Sequence, residues 1–146
     1  MICRGLTCPH SAKLRDGPLW LCNSGYGEVG VLEVASEASE VGNRYHAVAT
    51  VPGFTRGLAF AGSYGFVGLS KVIDFYEPYA PGLDPKASRC GIVVFDVRSG
   101  AEVASLAWPA GYQIYDVQVM PGVRRPILPS KATNDPGINT HLRYLG

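Results

Sequence analysis

The sequence predicts an all-β, antiparallel fold made of propeller-like blade repeats, with two full blades and the start of a third. The first observation is that 18 glycines and 11 prolines are spread along the 146 residues, as expected for many short strands joined by turns. The second is that the pattern of turns and apolar runs restarts. Its equivalent positions are His10, Arg56 after 46 residues and Asp116 after a further 60. A period of roughly 40–50 residues with four short strands is typical of propeller blades.

The first unit is predicted at about residues 9–51. It opens at Pro9-His10-Ser11, and an Asp-Gly-Pro turn at residues 16–18 precedes its first apolar run. Residues 35–43 have no apolar face and are predicted to form a loop. The strand patterns in this unit are residues 19–22, 29–34 and 45–51.

The second unit is predicted at residues 54–108, with a loop insertion at 71–89 that holds one short helical turn. Its strand patterns are residues 57–60, 64–69, 91–97 and 102–108. A third unit begins at residue 114 and runs to 126, so the repeat domain is predicted at residues 1–126. Residues 127–146 show no periodicity and are predicted to be an irregular C-terminal tail.

Composition narrows the classes of function. The net charge is only +1, which argues against nucleic-acid binding because phosphate contacts need a clustered basic surface. No apolar stretch approaches the roughly 18 residues of a membrane span, and no signal-like segment precedes the first unit, so a cytoplasmic protein is expected. The four cysteines lack zinc-site spacing and are expected to be free thiols.

The number of units raises a question of closure. Propellers typically have four or more blades. The blades close into a ring, which leaves no exposed sheet edge or face. Two units and the start of a third are too few for this. We therefore expect oligomerisation of the chain to complete the fold.

The chain also resembles an uncharacterised, mostly bacterial family of conserved hypothetical proteins with propeller-like repeats. Its members are longer, and this chain resembles their C-terminal part. The resemblance implies a propeller-like fold and no established activity. It rests on Arg4-Gly5-Leu6, Pro9-His10-Ser11, Asp16-Gly17-x-Leu19-Trp20, Asn23-Ser24-Gly25-x-Gly27-Glu28, Pro52-Gly53-Phe54-Thr55-Arg56-Gly57-Leu58-Ala59-Phe60, Val67-Gly68-Leu69-Ser70-Lys71, Arg89-Cys90-Gly91, and Tyr115-Asp116-Val117 with Pro121-Gly122.

The three equivalent positions are the candidate binding site. His10, Arg56 and Asp116 open their units, and strand-opening residues of adjacent blades converge on one mouth of a propeller. Together with Tyr115 they could bind a small polar or anionic ligand. The alternative is that they form hydrogen bonds and salt bridges that fix the repeat.

Three further motifs have two interpretations each. Asn23 and Glu28 are weak candidates for a metal site or belong to an ordinary hairpin loop. Ser70-Lys71 resembles a catalytic dyad, but adjacent residues on a strand point to opposite faces. The aromatic residues of the insertion either cover a ligand or cover a sheet edge: Phe75, Tyr76 and Tyr79.

The sequence therefore predicts a non-catalytic binding or interaction module for a small polar ligand or a protein partner, with no cofactor. The alternative is a hydrolase or cyclase of the propeller type, in which His10 acts with Asp116 or with a metal near Glu28. An enzyme is the less favoured interpretation, because no established catalytic motif is present.

Overall fold

The computed structural model describes residues 3–35, 43–75 and 77–124, together with the strand residues 126–127 and 143–144. These residues form β-strands and two short 3₁₀ turns, and no α-helix occurs among them. The strands of each sheet pair antiparallel. The prediction of an all-β, antiparallel protein is confirmed.

The first sheet has four strands in the order in which they occur along the chain. They are β1 (Pro9–Leu14), β2 (Leu19–Asn23), β3 (Glu28–Glu33) and β4 (Arg44–Thr50). A 3₁₀ turn at Ser24–Tyr26 joins β2 to β3, and Gly27 ends it in the left-handed conformation that glycine adopts without strain. The sheet lies within the predicted first unit.

The second sheet repeats the same order of four strands. They are β5 (Phe54–Ala61), β6 (Tyr64–Ser70), β7 (Gly91–Asp96) and β8 (Glu102–Ala107). The insertion between β6 and β7 contains a 3₁₀ turn at Glu77–Tyr79, where the sequence predicted one short helical turn. Tyr76 lies outside the described residues.

The first strand of each sheet contains a β-bulge at the equivalent position. The pairing register shifts between His10 and Lys13 in β1 and between Arg56 and Leu58 in β5. Ser11 (φ 57°) and Gly57 (φ 73°) lie at these shifts in the left-handed region, 46 residues apart. The Gly57 N–H donates to Ser11 Oγ at 2.8 Å, so the two bulges contact each other.

The core lies between the two sheets. Trp20 packs edge-to-face against Phe60 with ring centroids 5.2 Å apart, which joins β2 to β5. Each fully buried Val, Leu or Phe side chain contributes about 1.5–3 kcal/mol to folding. The side chains that are 0% exposed in this cluster are Cys22, Val29, Leu58, Val67, Val93 and Phe95.

The third unit differs from the prediction. No strand is assigned among described residues 108–124, where the sequence indicated a restart at residue 114. Within the part of the chain that the structure describes, this segment has no neighbouring strand and is instead attached to the end of β6. The Lys71 N–H donates to the Tyr112 carbonyl at 2.8 Å, and Ser70 Oγ accepts from Ile114 N–H at 3.0 Å.

The C-terminal tail also differs in part from the prediction of an irregular segment. Two residues at Pro126–Ile127 (β9) pair antiparallel with Arg143–Tyr144 (β10). The rest of the tail lies outside the described residues.

Two expectations from composition can be compared with the structure. All four cysteines are described, and each is a free thiol, as predicted. Within the described ranges, no helix combines the length and apolarity that crossing a membrane requires.

Candidate functional site

His10 and Arg56 are brought together by the repeat. Each precedes the left-handed residue of its bulge, and β1 and β5 are neighbours across the contact between the sheets. Arg56 Nη2 lies 3.2 Å from His10 Nε2. Two of the three residues predicted as equivalent therefore share one site.

The hydrogen bonds of His10 assign its neutral tautomer. Ser24 Oγ donates its hydrogen to the Thr55 carbonyl at 2.6 Å, so it can only accept from the imidazole. His10 Nδ1 lies 2.8 Å from both Ser24 Oγ and the Cys8 carbonyl, and it therefore carries the hydrogen. His10 Nε2 is then an acceptor, and the Arg56 guanidinium, which has only donors, supplies its hydrogen bond.

The environment also keeps His10 neutral. Burial is the main cause that lowers the pKa of His10, and the positive charge of Arg56 lowers it further. The hydrogen bond to the Cys8 carbonyl favours the charged form and offsets part of this effect. A general base needs a free lone pair, and in this arrangement the lone pair of Nε2 is already used.

Tyr115 contacts Arg56 through its ring. The guanidinium carbon lies 5.1 Å from the ring centroid, a cation–π contact worth about 0.5–1 kcal/mol at an exposed position. The Tyr115 hydroxyl donates to Gln113 Oε1 at 2.6 Å. Tyr115 thus supports one face of the guanidinium and leaves its N–H edge available.

Asp116 does not join this group through its side chain. Its carboxylate accepts a hydrogen bond from Gln118 Nε2 at 2.7 Å. This bond is the main cause of a lowered pKa of Asp116, and the charge of Lys13 adds to it. What lies near the bulge is the Asp116 backbone, which packs against Gly57.

The two weak metal candidates bond to each other. Asn23 Nδ2 donates to Glu28 Oε2 at 2.9 Å, while Asn23 Oδ1 accepts the Thr7 N–H at 2.8 Å. The amide therefore presents nitrogen, and not oxygen, to the carboxylate. Among the described residues, no three His, Cys, Asp or Glu side chains are grouped as metal ligands would be.

A cavity of about 140 Å³ opens beside the His10–Arg56 pair. It lies where both sheets, the insertion and the segment after β8 meet. For comparison, an apolar cavity of roughly 150 Å³ accepts a molecule the size of benzene. Its lining residues are Cys8, His10, Phe54, Arg56, Ser70, Tyr79 and Gln113.

Two of the lining residues, Tyr79 and Ser70, belong to motifs for which the sequence left two interpretations. Tyr79 comes from the insertion and is half exposed, as a residue that covers a ligand would be. Ser70 is buried and binds the backbone of Ile114, whereas Lys71 Nζ donates to the Pro109 carbonyl at 2.8 Å. The two side chains serve different contacts, in agreement with the argument against a dyad.

Three lining residues were not predicted. Cys8 and Gln113 lie in segments without periodicity, where the sequence carries no signal for their direction. Phe54 could have been found, because it opens β5 two residues before Arg56 and so points to the same face of the strand. Its ring lies edge-to-face against His10, with centroids 5.6 Å apart.

The fold and the site define an all-β protein of two repeated four-stranded sheets, with an arginine-lined cavity at their junction. Residues 1–128 match the family described as Domain of unknown function (DUF4915), and the chain belongs to that family. The predicted membership of an uncharacterised family is confirmed at this level. Comparison with curated proteins gave no match. Comparison with solved structures gave none either.

Proposed function

We propose that this protein is a non-catalytic binding module that holds a small anionic ligand in the His10–Arg56 cavity. The observation that carries the proposal is the state of Arg56. Its guanidinium lines the cavity, donates to a neutral histidine and has no carboxylate partner within the described part of the chain.

An arginine without a counter-ion favours an anion. The guanidinium is charged at every relevant pH and has five N–H donors in a planar fork. One donor is used by His10, and Tyr115 covers a face and not the edge. The remaining donors suit a carboxylate, since charge-assisted and bidentate hydrogen bonds are the strong ones.

The walls and the volume limit the size of the ligand. The rings of Phe54 and Tyr79 provide apolar surface near the charged group. A cavity of about 140 Å³ is smaller than the roughly 300–1,000 Å³ of a site for a drug-sized molecule. The ligand class that fits is a small monocarboxylate with a flat, apolar remainder.

The alternative of a hydrolase or cyclase lacks its main contact. It depends on a hydrogen bond from Asp116 to His10, and the Asp116 carboxylate bonds to Gln118 instead. The lone pair of His10 Nε2 is taken by Arg56. No observation at this site favours catalysis over binding.

We also propose that the two sheets are units of a propeller-like architecture. Each four-stranded sheet is a blade-like unit of a propeller-like repeat, and the segment at 114–120 takes the place of the first strand of a third unit. The repeated bulges at Ser11 and Gly57 support this, as does the attachment of Ile114 to Ser70.

Isothermal titration with benzoate tests the function. Benzoate has the charge, planarity and size that the cavity suits, and benzamide is the matched neutral probe. We expect benzoate to bind in preference to benzamide, and Arg56→Gln to weaken its binding about tenfold or more, because a hydrogen bond to a charged group contributes about 1.5–3 kcal/mol.

The matched control is Arg89→Gln, which removes an arginine that pairs with Glu102 on the surface at 3.3 Å. This variant should bind benzoate like the wild type. Equal affinities of wild type and Arg56→Gln for benzoate, or equal affinities of the wild type for benzoate and benzamide, would contradict the proposal.

A further inference from the structure

Gln113 lines the cavity together with Arg56, and its side-chain amide is hydrogen-bonded at the oxygen and not at the nitrogen. Gln113 Oε1 accepts the hydrogen of the Tyr115 hydroxyl at 2.6 Å. Within the part of the chain that the structure describes, Gln113 Nε2 has no hydrogen-bond partner. An amide nitrogen carries two N–H donors. Gln113 therefore offers the cavity a neutral donor that the described residues do not use.

The Tyr115 hydroxyl determines which end of the Gln113 amide is free. It donates to the amide oxygen, so Oε1 is turned to Tyr115 and Nε2 points away from it. The ring of Tyr115 also contacts the guanidinium of Arg56, with 5.1 Å between the guanidinium carbon and the ring centroid. One tyrosine thus supports the charged donor of the cavity and orients the neutral one.

The cavity is too small to hold a separate ligand at each donor. Its volume is about 140 Å³, and a cavity of roughly 150 Å³ accepts one molecule the size of benzene. A ligand whose carboxylate binds Arg56 therefore also lies against Gln113. Such a ligand gains affinity when it places an acceptor at Nε2, and it loses affinity when it places a donor there, because two facing donors both remain without a partner.

The hydrogen bonds of two other polar lining residues are made within the protein. His10 Nε2 accepts from Arg56, and His10 Nδ1 is bonded to Ser24 and Cys8. Ser70 Oγ donates to the Ile114 carbonyl and accepts from the Ile114 N–H. Neither side chain requires a partner from the ligand, and the second polar contact of the ligand is therefore with Gln113.

Resting on the function proposed above, we propose that Gln113 selects the ligand, which is a small aromatic carboxylate with an oxygen acceptor on the ring carbon next to the one that bears the carboxylate. Arg56 binds the carboxylate, and Gln113 Nε2 donates to the neighbouring oxygen. The two acceptors are adjacent because both donors lie beside Tyr115. Salicylate is the simplest such molecule. Its hydroxyl hydrogen bonds to its own carboxylate, which leaves the hydroxyl oxygen to accept from the amide.

Isothermal titration with salicylate, benzoate and anthranilate tests the inference. Anthranilate carries an amino group where salicylate has its hydroxyl, so it presents an N–H to Gln113 in place of an oxygen lone pair. All three probes are monoanions at neutral pH and offer Arg56 the same carboxylate. We expect the wild type to bind salicylate about three- to tenfold more tightly than benzoate, the effect of one added hydrogen bond, and to bind anthranilate no more tightly than benzoate.

A substitution at Gln113 separates the amide from other sources of such a preference. Gln113→Met keeps the length of the side chain and removes the amide, so salicylate and benzoate should then bind with equal affinity. The Tyr115 hydroxyl can bond to water in this variant, because Tyr115 is 68% exposed. Gln118→Met is the matched control, since Gln118 binds Asp116 and is not among the described residues that line the cavity. It should retain the preference for salicylate.

Equal affinities of the wild type for salicylate and benzoate would overturn this inference. The proposed function would still stand if benzoate binding depended on Arg56. Tighter binding of anthranilate than of salicylate would also overturn the inference, because Gln113 would then present its oxygen to the ligand. A preference for salicylate that persists in Gln113→Met would exclude Gln113 as its source. No binding of any of the three probes would contradict the proposed function itself, and this inference with it.

Discussion

Ser24 and Ser70, which are 46 residues apart, make the same hydrogen bond. Ser24 Oγ donates to the Thr55 carbonyl at 2.6 Å, and Ser70 Oγ donates to the Ile114 carbonyl at 3.2 Å. Ser24 directly follows β2 and Ser70 is the last residue of β6, each the second strand of its sheet. Both serines are buried. The segment around Ile114 therefore contacts the second sheet as β5 contacts the first.

Ser70→Ala should loosen the segment that contains Ile114. The hydroxyl both donates to the Ile114 carbonyl and accepts from its N–H, and loss of such bonds at a buried position costs about 1–3 kcal/mol. We expect faster hydrogen exchange at the Ile114 amide and a lower free energy of unfolding. Ser105→Ala, at an exposed position of β8, is the control. Unchanged exchange at Ile114 would refute this role of Ser70.

Gly57→Ala should destabilise the protein more than Gly62→Ala. Both glycines are in the left-handed region, with φ of 73° and 55°, where a side chain costs about 1–2 kcal/mol. A methyl group at Gly57 also meets the backbone of Asp116 and Val117, whereas one at Gly62 has open space. Chemical denaturation measures the difference, and equal losses would mean that the segment does not pack against the bulge.

Stability should fall as the pH decreases below about 6.5, the ordinary pKa of histidine. The pKa of His10 is lowered in the folded state, so at acidic pH the unfolded chain binds a proton more readily than the folded chain does. The contribution of His10 to the free energy of unfolding is therefore present above the ordinary pKa of histidine and is lost as the pH falls below it. His10→Gln should reduce this loss, as shown by unfolding curves at several pH values. A variant with the same pH dependence as the wild type would exclude His10 as its source.

Tyr79→Ala distinguishes the two interpretations of the aromatic insertion. A ring that covers a ligand contributes to affinity, so benzoate should bind more weakly while the free energy of unfolding changes little, since Tyr79 is 51% exposed. Tyr64→Ala, at a residue 45% exposed on β6, is the matched control. If Tyr79→Ala lowers stability and leaves benzoate affinity unchanged, the ring covers a sheet edge.

The sequence predicted the features that depend on local patterns. Apolar runs bounded by Gly and Pro located most strands, and the 46-residue period correctly brought His10 beside Arg56. β1 was not identified as a strand, because Pro9–Leu14 has no apolar run and its position comes from pairing with β2 and contact with β5.

The features that the sequence missed depend on tertiary contacts. Asp116 occupies a segment that has no strand partner among the residues described. Its carboxylate binds Gln118 and not His10. Gln113 reaches the cavity because Ser70 and Lys71 hold the segment around it by hydrogen bonds to Ile114 and Tyr112. No periodicity encodes such contacts.

The central claim is that the cavity binds an anion at Arg56, and the pKa of His10 reports on it. Nuclear magnetic resonance titration of the His10 imidazole, with and without saturating benzoate, is the most direct measurement. An anion at Arg56 offsets the charge that lowers the pKa of His10, so the account predicts that this pKa rises when benzoate binds. A pKa of His10 that is the same with and without bound benzoate would contradict it.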